Sequence, residues 1–233
     1  MYDMESIYEP IKRKINSWLS YEQNKPKIPY KGNEKLHDDY RSKNDLDCIL
    51  NDGNLHADTI ISLWLPLRMV LVRINGYDKL NELENINNRF LFLKKLILDN
   101  NTLEKYLPVD DERVVLLSKL FEIGQKKENT MILPRRDMQS KGEKCYDYMP
   151  YFLYECFQGG MFSEPFENDI EKLREWVNEQ KLSMFFKEEK IQKENIIDLS
   201  GSGDIKNNIP PSKMELNMLK NYIDILEKRS SEI

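Results

Sequence analysis

Residues 60–74 read IISLWLPLRMVLVRI, the one place in the 233-residue chain where apolar side chains run almost without a break. Fifteen residues are too few for a helix to cross the hydrocarbon core of a bilayer, which takes roughly 20. Arg68 and Arg73 also interrupt the run, so it belongs in a protein core. Asp58 or Thr59 can offer a side-chain oxygen to the free amides of a first turn, and residues 58–65 therefore read as helix. Pro66 lacks an amide proton and disfavours helical geometry at Leu65, so the chain either kinks there or begins a new element. Val70, Val72 and Ile74 alternate as a half-buried strand would, and Asn75-Gly76 is a turn dipeptide. The flanking segments are helical in pattern and no strand of comparable strength lies nearby, which favours one kinked central helix over a helix followed by a strand.

Working outward toward the N-terminus, Asn51-Asp52-Gly53 is a turn, and residues 21–40 form a long loop with two prolines and a glycine. Met4, Ile7, Tyr8, Ile11, Ile15, Trp18 and Leu19 recur at helical spacing, with Pro10 expected in the first turn of that helix. Toward the C-terminus, Leu80, Leu83, Ile86, Phe90, Leu93 and Ile97 predict a helix over 80–97 that ends at Asp99-Asn100-Asn101. A short helix over 102–107 stops at Pro108. Asp110 or Asp111 caps the next one, a buried helix carrying Val114, Leu117 and Phe121 on one stripe, with Gly124 at its end. Residues 130–133 are the best strand candidate. Asn168 with Glu171 has the form of a helix-entry pair ahead of Leu173 and Val177. Helix is expected in the middle of 182–199.

Residues 200–211, SGSGDIKNNIPP, have linker composition. Ser212 and Glu215 form a capping box that opens a last helix with Leu216, Leu219, Ile223 and Leu226. The expected architecture is mainly α: an irregular multi-helix globular domain over 1–199 with at most a few short strands, a flexible linker over 200–211, and a C-terminal amphipathic helix over 212–233. That helix has three possible seats, its own domain, a second copy or a foreign partner, and its own domain is favoured.

Forty acidic residues against 35 basic ones give a net charge of -5. This argues against a general polyanion binder, although a local basic site remains compatible with it. MYDMESIYEP lacks the basic and apolar regions of a secretion signal, so a cytoplasmic location is expected, without membrane association. Three cysteines cannot all pair within one chain and none forms a Cys-x-x-Cys, in keeping with a reducing compartment. Plentiful Lys, Asn, Ile and Glu with scarce Ala point to a low-GC bacterium or its phage.

The phosphate-cradling GxxxxGK[ST] loop, GxGxxG, GxSxG and HExxH are all absent from the sequence. His37 and His56 are the two histidines. His56 with Asp52, Asp58 and Cys48 matches no zinc spacing, and His37, Asp38, Asp39, Asp45 and Asp47 read as a solvated acidic loop; neither metal nor cofactor is expected. Arg135 and Arg136, at the exit of the strand and followed by Lys141, form a candidate anion site, with Tyr146 or Tyr148 near enough in sequence to stack on a base. Arg68, inside the apolar run, either snorkels or pairs with a carboxylate. The aromatic cluster over 146–162 is core or a protein-binding surface, with core favoured. Tyr148 and Tyr151, together with Leu219, Ile223 and Leu226, are the candidate partner-binding residues. The expected function is that of a non-catalytic cytosolic interaction protein, an inhibitor, immunity or accessory factor of a bacterial or phage system, binding a protein partner or itself. The alternative is an enzyme or sensor that binds a phosphorylated ligand, nucleotide or single-stranded nucleic acid through the arginine loop.

Overall fold

The computed structural model describes residues 4–24, 56–61, 63–76, 83, 85–133, 148–160, 162–200, 205 and 216–231. The chain is mainly α-helical. Among the described residues the helices are α1 (Met4–Asn24), α2 (Trp64–Asn75), α3 (Ile86–Leu98), α4 (Asn100–Tyr106), α5 (Glu112–Gly124), α6 (Met149–Gln158), α7 (Ile170–Glu179) and α8 (Asn217–Ser231). Two short strands, β1 (His56–Thr59) and β2 (Thr130–Leu133), pair antiparallel. No helix among the described residues is long and apolar enough to cross a membrane.

The centre of the packing is α5. Its first turn is held by Asp111, one of the two caps expected, with Oδ1 accepting from the Arg113 amide at 2.9 Å and from Arg113 Nε at 2.8 Å. The Arg113 side chain, and after it the Arg113 amide, keeps that carboxyl below the usual range against the opposing effect of burial. Val114, Leu117, Leu120, Phe121 and Ile123 are all buried, so apolar side chains cover more than one face of the helix. A helix of that kind needs neighbours on several sides, and α1, α2 and α8 supply them. Gly124 ends α5 without left-handed geometry; a Cβ there would lie 3.6 Å from Ile61 and 3.9 Å from Leu226, in ordinary contact with both.

Residues 60–74 depart from the expectation at their start. Asp58 and Thr59 are strand residues, in register with Met131 and Thr130, and not helix caps. The chain turns after β1, where the Ile60 amide donates to Asn129 O at 3.2 Å, and α2 starts only at Trp64. Pro66 is thus the third residue of α2. The first amides of any helix lack an intrahelical acceptor, so proline removes nothing there and the helix continues to Asn75. Leu65 to Val72 are all buried, Arg68 included at 4% exposure. Asn75 Nδ2 donates to Leu71 O and to Tyr106 O, both at 3.0 Å, and so fastens α2 to α4.

Other boundaries moved for local reasons. The helix expected from residue 80 begins at Ile86, because Asn85 Oδ1 accepts from the amides of Asn87 and Asn88 at 2.9 and 3.3 Å. Asp99 closes α3 and caps α4. Pro10 lies in the interior of α1 and not in its first turn. Asp169, not Asn168, caps α7, accepting from the Glu171 amide at 2.8 Å; Asn168 has a left-handed backbone, φ 56°. The helix expected inside 182–199 is replaced by three single 3-10 turns (Ser183–Phe185, Lys187–Glu189 and Lys193–Asn195) and a bridge between Phe186 and Ile196. Positive φ at Lys181, Glu188 and Glu189 breaks any continuous helix there.

The last helix seats on its own chain. It packs along α5 and the 183–185 turn, burying Met218, Leu219, Tyr222, Ile223 and Leu226. Near its end Arg229 donates to Gln180 O at 2.8 Å and Lys181 O at 3.3 Å, just past α7, where the negative end of that helix favours a cation. Burial works against the charge and lowers the guanidinium to about 10, opposed by the attraction of Glu128. The proposed capping pair Ser212 and Glu215, and the stretches 201–204 and 206–211 of the linker, lie outside the described residues.

Candidate interaction surface

Arg135, Arg136 and Lys141 lie outside the described residues, as do His37, Asp38, Asp39, Asp45, Asp47, Cys48, Asp52 and Tyr146. β2 ends at Leu133, in register with His56, so the backbones of His56 and Asp58 belong to the ladder. Among the described residues no group of three or more His, Cys, Asp or Glu side chains gathers as a metal would need.

Of the residues singled out for a partner, Tyr148, Leu219, Ile223 and Leu226 are buried within the chain itself, and Tyr151 is half-buried. Tyr148 is fully buried, and its ring meets that of Tyr222 on α8 edge-on at 6.4 Å. The Tyr222 hydroxyl accepts from the Met149 amide at 2.9 Å. Tyr148 itself donates to Asp198 Oδ1 at 2.7 Å and accepts from the amides of Leu199 and Ser200 at 2.7 and 2.9 Å. Burial above all, and then the Asp198 carboxylate, push the phenol above its ordinary range. Tyr148 is a neutral knot that ties the start of α6 to the 198–200 turn. Leu219, Ile223 and Leu226 are buried in the same body. Tyr151 is half-buried and stacks on Tyr154 at 6.3 Å. Behind them Phe152, Phe162, Phe166 and Trp176 form a chain of ring contacts at 5.4 to 6.5 Å, so this part of the aromatic cluster is core.

Among the described residues the two most exposed large apolar side chains lie on α3, ahead of Met4 on α1 and Ile170 on α7. Leu93 and Leu96 turn inward and are fully buried, and Arg89 lies over the Trp64 ring at 4.0 Å while its Nε donates to Leu83 O. On the opposite side Leu91 and Leu98 are 65% and 74% exposed. Seven residues apart, they share one face about 10 Å apart along the axis. Between them Lys94 and Lys95 are exposed and make no ion pair among the described residues. The charged residues of α3 are Arg89, Lys94 and Lys95, all basic, in a chain of net charge -5. Isolated exposed leucines are ordinary on a protein surface. Two in register at i and i+7, with cations between them, are the spacing by which a helix presents anchors to a groove or a partner helix.

Sequence reasoning passed over this face. Leu91 and Leu98 fall off the stripe of Phe90, Leu93 and Ile97, and at 100° per residue they point to the other side of the helix. That displacement was the signal available. Compared with known proteins, the chain matches no family model, no curated protein and no solved structure.

Proposed function

We propose that this chain is a non-catalytic binding protein, an inhibitor, immunity or accessory factor of a bacterial or phage system, that engages another protein through the outer face of α3. The observation that carries the reading is the pair Leu91 and Leu98, exposed on one face with Lys94 and Lys95 between them. Such a face fits a partner with an apolar groove or helix stripe flanked by acidic residues, because opposite charges steer the encounter and fix the register. The polar groups buried around Tyr148 support the same reading, since each bond they make holds the fold together.

The test uses the full chain and the double variant Leu91→Asp, Leu98→Asp as baits in extracts of the producing cell. Both side chains are exposed, so at up to ~0.5 kcal/mol for each substitution the variant should keep its stability to within about 1 kcal/mol. The expected result is a stoichiometric protein partner held by the parent chain and lost by the variant. An identical set of captured proteins for both, or no stoichiometric partner for the parent, contradicts the reading.

A further inference from the structure

Asn75-Gly76, at the end of α2, is the one Asn-Gly pair in the sequence. With no Cβ on the following residue, the backbone nitrogen after such an asparagine reaches the side-chain carbonyl carbon with the least hindrance. In an unfolded chain the two groups react with each other without a catalyst. The fold holds them apart. Both N–H bonds of the Asn75 carboxamide are used, on Leu71 O and Tyr106 O at 3.0 Å each, and the Gly76 amide donates to Val72 O at 2.9 Å. Little else restrains the pair. Asn75 is half-buried, while Gly76 is exposed, at φ 83°, with no atom within 4 Å of where a Cβ would stand. The last turn of a helix is also where local opening costs least.

We propose that Asn75 is a self-modification site, guarded by the α2–α4 tie and converted whenever the end of α2 opens. On opening, the Gly76 nitrogen gives its proton to solvent base and attacks Asn75 Cγ. The N–Cγ bond forms, the Cγ–Nδ2 bond breaks, and the departing nitrogen takes a proton from solvent and leaves as ammonia. Water then adds to one or the other carbonyl of the cyclic imide and opens it to aspartate or isoaspartate. No electrons are exchanged, and water is the only co-reactant.

The conversion runs one way because neither product can rebuild the tie. An ionised carboxylate has no proton to donate, so at position 75 it faces the carbonyls of Leu71 and Tyr106 with like partial charge. It also sits at the negative end of α2, where an anion is disfavoured. Isoaspartate adds a backbone atom before Gly76 and so takes that amide out of register with Val72 O.

The test follows the full chain in warm, mildly alkaline buffer, folded and in guanidinium chloride, by peptide mass spectrometry that separates asparagine, aspartate and isoaspartate at position 75. In denaturant, position 75 should convert faster than every other asparagine, with isoaspartate among the products. In the folded chain the same conversion should be slower by roughly tenfold or more, since it waits for local opening. Arg73→Gly, at an exposed position in the last turn of α2, weakens that turn and leaves the reacting pair intact. It should speed conversion severalfold in the folded chain and leave the rate in denaturant unchanged. Asn75→Asp reproduces one product in advance and should melt several degrees below the parent. Equal rates in folded and denatured chain, no preference for position 75 in denaturant, aspartate without isoaspartate, an unchanged folded rate in Arg73→Gly, or an unchanged melting temperature in Asn75→Asp overturns the proposal.

Discussion

α8 and α3 are both amphipathic helices with leucines at helical spacing, and they dispose of them in opposite ways. α8 turns Met218, Leu219, Tyr222, Ile223 and Leu226 into the chain's own core against α5. α3 buries Leu93 and Leu96 but leaves Leu91 and Leu98 in solvent. The α8 stripe stabilises the fold, whereas the α3 pair contributes almost nothing to it. Spacing identifies residues that share a face; only the packing decides whether the chain itself covers that face.

The sharpest break of this contrast is deletion of residues 212–233. Five buried side chains at roughly 1.5 to 3 kcal/mol each amount to about as much as the roughly 5–15 kcal/mol by which a whole domain is stable. The truncated chain should show no cooperative thermal transition. A transition retained near that of the full chain would mean that α8 is an appendage.

A smaller effect is expected at the knot that joins α6 to the 198–200 turn. Tyr148→Phe keeps the ring against Tyr222 but removes the hydroxyl that accepts from the Leu199 and Ser200 amides. Loss of a buried partner of this kind costs about 1–3 kcal/mol, measurable by urea unfolding. A change within error would demote the knot to an incidental contact.

Much of this was legible in the sequence, for a stated reason. Val114, Leu117 and Phe121 behind Asp111 located α5, and residues 130–133 located β2, because local chemistry and burial agree there. β1 was not legible: HADT is polar and does not alternate, and it is a strand because β2 lies beside it. The 182–199 region failed for the opposite reason. Its buried Phe185 and Phe186 imitate helical apolar content, while left-handed backbone at Lys181 and again at the adjacent Glu188 and Glu189 interrupts any helix. The candidate surface was the least legible, since exposure of Leu91 and Leu98 depends on what α1, α2 and α4 leave uncovered.

The smallest stability effect concerns the cap of α5. Asp111→Ala should cost about 1 kcal/mol near neutral pH. Its carboxyl is depressed in the folded chain, mainly by the Arg113 side chain, so its contribution is fully present above the ordinary carboxylate range and is lost as pH falls through the folded value. Melting curves of parent and variant should therefore converge on acidification. A gap that stays constant down to about pH 3, well into carboxylate titration, would show that the charge has no part in it.

The central claim, that α3 faces a protein partner, is tested most directly by site-specific photo-crosslinking in the producing cell. A photoreactive residue is placed in turn at Leu98 and at Asn178, an exposed position on α7. The account predicts one discrete heterologous adduct from position 98, abolished by Leu91→Asp, and none of the same mass from position 178. Equal adducts from both positions, or no adduct from position 98, would contradict it.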